Sequence, residues 1–85
     1  MIKHFIFYHT QACHLCELAE ALFQPYAQHL ELIVENVDIA DDDALVEQYG
    51  SKIPVLLHAE SHYEITWPFD EQQLRAFLSD CLKSK

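Results

Sequence analysis

Two of the three cysteines, Cys13 and Cys16, stand three residues apart in Cys13-His14-Leu15-Cys16. Placed between a buried strand and a helix, a pair at this spacing suits thiol–disulfide exchange. The attacking species is a thiolate, and an ordinary thiol near pKa ~8.5 is mostly protonated at neutral pH. A helix N-terminus, with its unsatisfied N–H groups and dipole, can bring such a thiol down to roughly 3.5–7.5. Cys13 at that position reads as the nucleophile. Cys16, one helical turn later on the same side, reads as the resolving thiol. His14 could stabilise the thiolate and make the disulfide more oxidising, or could simply fill the exposed dipeptide between the cysteines. His9 and Tyr8 carry the same ambiguity, Tyr8 reading chiefly as the end of a core strand.

His9, Cys13, His14 and Cys16 could instead contact a metal, or the cysteine pair could share an iron–sulfur cluster across a dimer. Structural zinc sites, however, usually draw on a second ligand pair, and His4, His29, His58 and Cys81 fall on separate elements. No metal ligands are assigned, and no tightly bound cofactor is expected.

A strand, a turn and a helix must position the pair. Lys3 to Tyr8 contains the continuous apolar run Phe5-Ile6-Phe7 of a strand covered on both faces. From His14 onward, Leu15, Leu18, Ala19, Leu22, Phe23 and Tyr26 recur at helical spacing as one apolar stripe. Pro25 should kink that helix or end it near Gln24. Leu32 to Asp38 reads as a second strand, parallel to the first through a right-handed crossover. Asp41, Asp42 and Asp43 start a short second helix with Leu45, Val46 and Tyr49 on its buried side, and Gly50 sits where a left-handed C-cap residue would stop it. A third strand starts at Pro54 or just after it. Tyr63 to Trp67 returns antiparallel as the fourth. Asp70 and Gln73 form a capping box for a last helix with Leu74, Phe77, Leu78, Cys81 and Leu82 on its apolar face. Cys81 therefore reads as a small buried hydrophobe. Trp67 and Phe69 either close the core or, if exposed, form a platform for a protein substrate.

The order β-α-β-α-β-β-α over 85 residues allows one α/β domain, residues 1–85, with a four-stranded mixed sheet and three helices. Fourteen acidic residues against five Lys and Arg leave no basic stripe, so nucleic acid is excluded as an expected partner. The acidity serves solubility, or steering toward a basic partner. No apolar run reaches the ~18–20 residues needed to span a bilayer, and the N-terminus lacks signal-peptide architecture, so a cytoplasmic location is expected. There thiols are kept mostly reduced, which favours a catalytic, redox-sensing or metal-binding pair over a permanent staple. Gly50 is the only glycine, which argues against a nucleotide-binding loop.

This order, with Cys13-His14-Leu15-Cys16 opening the first helix and Ile53-Pro54-Val55 opening the third strand, resembles the thioredoxin fold in its minimal glutaredoxin-like form. The resemblance implies thiol–disulfide oxidoreductase activity at Cys13 and Cys16 on a protein or low-molecular-weight disulfide. It also implies a cis proline at Pro54 packed beside the dithiol, and backbone pairing of an extended substrate at Ile53. Glutathione enters as a candidate co-substrate and the thioredoxin or glutathione system as candidate reductant. Asp70 matches the acidic residue that contacts glutathione in glutaredoxins. Two departures stand against glutathione: Thr10 lies where a lysine precedes the dithiol, and Trp67-Pro68-Phe69 replaces paired glycines. The alternative is a non-catalytic interaction module of the same fold.

Overall fold

The computed structural model describes residues 3–83. In order come strand β1 (His4–His9), helix α1 (His14–His29), strand β2 (Ile33–Asp38), a 3-10 turn (Ile39–Asp41), helix α2 (Asp43–Tyr49), strands β3 (Val55–His58) and β4 (Glu64–Thr66), and helix α3 (Glu71–Leu82). The sheet order is β2-β1-β3-β4. β1 runs parallel to β2 and antiparallel to β3, which is antiparallel to β4. The α/β fold expected from the element order is therefore the one formed.

Alternation along the strands builds two unequal cores. Phe5 and Phe7 of β1, Leu56 of β3 and, half-buried, Val34 of β2 and Ile65 of β4 share one face with Cys16, Ala19, Phe23 and Ala27 of α1 and Leu74, Leu78 and Cys81 of α3. Tyr8 and Val55 point to the other face, where Ile39, Leu45 and Tyr49 pack on them from the 3-10 turn and α2. The tyrosines Tyr8 and Tyr49 stack with ring centroids 4.4 Å apart.

The expected capping box forms in full. The Asp70 carboxylate accepts from Gln73 N–H at 2.7 Å, and the Gln73 side-chain oxygen accepts from Asp70 N–H at 2.9 Å. Replacing Asp70 with Ala leaves one orphan donor at the start of α3, a loss of about 1 kcal/mol. For a domain of this size, a drop of roughly 4–8 °C in Tm should be seen in a thermal melt.

Three local expectations are corrected. Helix α1 does not end near Gln24; it continues through Pro25 to His29. Ending there would withdraw half-buried Tyr26 and Leu30 and buried Ala27 from the larger core, and the exposed Pro25 ring points away from it. The real stop is a Schellman arrangement at Glu31, with φ of 58°, where Leu32 N–H returns to the Ala27 carbonyl at 2.8 Å. Gly50 is not left-handed; its φ is −54°. Its missing side chain instead admits the Val46 carbonyl, which a Cβ at position 50 would strike. Finally, Leu15, Leu18 and Val46 are exposed, at 46%, 43% and 44%. The buried stripe of α1 runs through Cys16, Ala19, Phe23 and Ala27, and at 100° per residue Leu18 then lies opposite Cys16.

Candidate functional site

β1 delivers the chain to the site at its C-terminal end. Thr10 and Gln11 lead to Ala12, whose φ of 56° lies in the left-handed region, and this bend turns the strand into the start of α1. Cys13 is the N-cap of that helix, with extended backbone. Cys13 and Cys16 form a disulfide, their Cα atoms 5.2 Å apart. The Cys16 N–H donates to Cys13 Sγ at 3.1 Å, so the sulfur itself fills the role a Ser or Asp oxygen usually takes at a helix start. Cys13 is half-buried, whereas Cys16 lies in the core at 4% exposure. The two sulfurs therefore differ in access although they share one turn.

The surrounding residues fall into place unequally. His14 is exposed, with Nδ1 3.8 Å from Glu17 Oε1 on the next turn, a pair that attracts when the imidazole is protonated. His9 is half-buried, and its ring stacks on Phe7 with centroids 5.5 Å apart. Tyr8 is held by its stack on Tyr49, away from the helix that carries the dithiol. Among the described residues, no group of three or more His, Cys, Asp and Glu is placed to hold a metal ion.

Pro54 is buried and follows a cis peptide bond from Ile53; the Trp67–Pro68 bond is also cis. Tyr8 pairs with Val55, so the antiparallel register carried one step further puts Pro54 across from His9, at the end of β1 that leads to the dithiol. Half-buried Ile53 packs against both cores. Its N–H donates to the Tyr49 carbonyl at 3.0 Å. That N–H serves the turn after α2.

Asp70 is exposed, and its carboxylate serves the α3 cap. It shares a shallow depression with Glu71, Gln72 and Arg75, which neither cysteine lines. Beside it the Tyr26 hydroxyl donates to Glu71, tying α1 to the start of α3. Phe69 is buried and Trp67 half-buried, their rings edge to face at 5.2 Å, so this pair closes the core. The exposed apolar residue within the dithiol motif is Leu15 instead, with exposed Leu18 further along α1. A helical wheel centred on Cys16, with that thiol counted as a core position, would have found them.

Cys81 stands outside the site, buried on α3. Burial, with the Asp80 charge adding to it, pushes its thiol up to about 11 from 9.0. A pKa raised on folding gives stability that is complete below pH ~9 and is lost as pH rises toward 11, because the unfolded chain releases the proton first. The protein should therefore lose about 2–3 kcal/mol more over that interval than its Cys81→Ala variant, as read by urea unfolding at each pH.

The chain matches the family model described as a glutaredoxin-like domain (Glrx-like, DUF836) over residues 4–79. Among solved structures it is similar to target protein XcR50 from X. campestris, at 37% identity and TM-score 0.77 over 89% of this chain and 96% of that one. Protein Ne2328 from Nitrosomonas europaea is similar at 25% identity and TM-score 0.73, over 89% and 91%. A mutant thioredoxin from Halobacterium salinarum NRC-1 shares the fold, at 20% identity and TM-score 0.72 over 96% and 76%. No curated protein matches the chain significantly.

Proposed function

The chain belongs to the glutaredoxin-like domain family, and on that premise we propose that it is a thiol–disulfide oxidoreductase with Cys13 as nucleophile and Cys16 as resolving thiol. The unequal access of the two sulfurs carries this reading: half-buried Cys13 can meet a substrate, whereas Cys16 in the core meets only Cys13. The Cys13 thiolate attacks one sulfur of a substrate disulfide. A mixed disulfide forms and the other substrate thiolate leaves. Cys16, deprotonated, then attacks Cys13 Sγ and expels the second substrate thiolate, which leaves the internal disulfide. Two electrons and two protons have passed to the substrate, and two external monothiols or one external dithiol return them, ending as a disulfide.

The fold assists at stated atoms. Cys16 N–H, aimed at Cys13 Sγ, strengthens toward an anion because a charged acceptor makes the shorter and stronger hydrogen bond. His14 shapes the outer rim beside Glu17. Leu15 offers apolar contact to a protein substrate, and Ile53 and Pro54 border the path of an extended one. Glutathione or a thioredoxin-type dithiol is the proposed reductant. The capping duty of Asp70 favours glutathione as a passing thiol rather than a tightly held ligand.

Thiol trapping with intact mass in graded dithiothreitol or glutathione buffers tests the proposal. The expected result is a reversible two-proton change with a midpoint within about −180 to −270 mV. An internal disulfide that fails to form at any poise would sink it and leave an interaction module of the same fold.

A further inference from the structure

Helix α2 is short, and it covers only part of its side of the sheet. Beneath it lie Tyr8, Val55 and Ile39. One row further along the strands, the register aligns Glu35 of β2, Ile6 of β1, Leu57 of β3 and Glu64 of β4. All four share the face of Tyr8 and Val55, since Phe5, Val34, Leu56 and Ile65 point to the larger core. Ile6 and Leu57 are half-buried, and Glu35 and Glu64 are exposed. The next row adds His4 and Ile33, the latter 51% exposed.

We propose that this half-covered strip, Ile6 and Leu57 bordered by Glu35 and Glu64, is a docking surface for a basic amphipathic helix of a partner protein. Its width is that of a helix. Three inter-strand spacings separate the carboxylate-bearing edge strands, about 14 Å in all, against about 10–12 Å for an α-helix with its side chains. A helix laid along the strands would put its apolar stripe on Ile6, Leu57 and Ile33 and its flanking Lys or Arg side chains beside the two glutamates. Both carboxylates are already tethered at the borders. His4 Nε2 lies 3.5 Å from Glu35 Oε1, and the Tyr49 hydroxyl lies 3.5 Å from Glu64 Oε1. After burial, the charges of Glu35 and Glu64 also raise the Tyr8 phenol on this face.

Charge selects among occupants. A formal charge of −9 repels an anionic lipid surface and a second copy of this chain, and favours a cationic partner. The strip lies on the opposite sheet face from α1, so docking there is independent of the dithiol reading.

The test uses the full chain and a synthetic Lys/Leu peptide whose leucines form one helical stripe flanked by lysines, with a Glu/Leu counterpart as control. Amide shifts on titration should centre on Ile6, Glu35, Leu57 and Glu64, with binding weakened by salt. Calorimetry should show the Glu35→Lys/Glu64→Lys variant weakened about tenfold or more. The matched reversal Glu20→Lys/Asp80→Lys, on the helices of the other face, should change affinity less than about threefold. If the first variant loses its native amide spectrum, Glu35→Gln/Glu64→Gln carries the comparison. Equal losses in the two reversals, shifts centred elsewhere, or equal affinity for the acidic peptide would overturn the proposal. So would concentration-dependent shifts of the same residues without peptide, which would assign the strip to a second copy.

Discussion

Replacing Cys16 with Ser is expected to leave a protein that attacks a disulfide but cannot let go, so that a mixed disulfide accumulates at Cys13. Replacing Cys13 with Ser is expected to lower disulfide reduction by about 10³-fold or more, as losing an essential nucleophile does, with no adduct trapped. The asymmetry comes from access: Cys13 Sγ sits at the half-buried N-cap, and Cys16 is drawn into the core of Ala19 and Phe23. Mass spectrometry of each variant after exposure to a disulfide such as oxidised glutathione reads the outcome directly. An adduct at Cys16 in the Cys13→Ser protein would reverse the assigned roles. Cys13→Ser should keep the fold, because serine at the N-cap keeps a hydrogen-bond acceptor for the Cys16 N–H. Cys16→Ser buries a hydroxyl at a cost of about 1–3 kcal/mol, so its fold is checked by circular dichroism before trapping.

Phe7→Ala is expected to have the largest effect on stability, removing about 3–5 kcal/mol. Phe7 lies in the larger core, edge to face on Phe23 at 4.8 Å and stacked on His9, so it joins β1 to α1 just before the dithiol. A chain of 85 residues has about 4–13 kcal/mol in total. The variant should therefore melt roughly 15–30 °C lower, with native circular dichroism lost in far less urea. A loss below about 1 kcal/mol would mean that α1 is held to the sheet mainly by other contacts. Because α1 carries both cysteines, the variant should also reduce disulfides poorly at temperatures where it still folds.

Local signals recorded most of the architecture. The apolar run Phe5-Ile6-Phe7, the Cys-x-x-Cys spacing, the β-α-β-α-β-β-α order and the Asp70–Gln73 capping box are each written within a few residues, and each forms where its pattern lies. What periodicity cannot record is phase. The spacing of Leu15, Leu18, Leu22 and Phe23 announces a helix, but only the core decided that α1 turns Cys16 inward and leaves Leu15 and Leu18 in solvent. Pro25 signals a stop that the packing of Tyr26, Ala27 and Leu30 overrides, since their burial outweighs one missing hydrogen bond. Gly50 invites a left-handed cap, yet a close approach to the Val46 carbonyl explains it, a contact set by how the chain leaves α2. Likewise no local pattern announces that the Ile53 N–H bonds the Tyr49 carbonyl in the turn after α2. The sheet face left open beside α2 is tertiary in the same sense. It arises because a seven-residue helix spans about 10 Å against about 20 Å for β1 and β2, and only packing decides which part of those strands it covers.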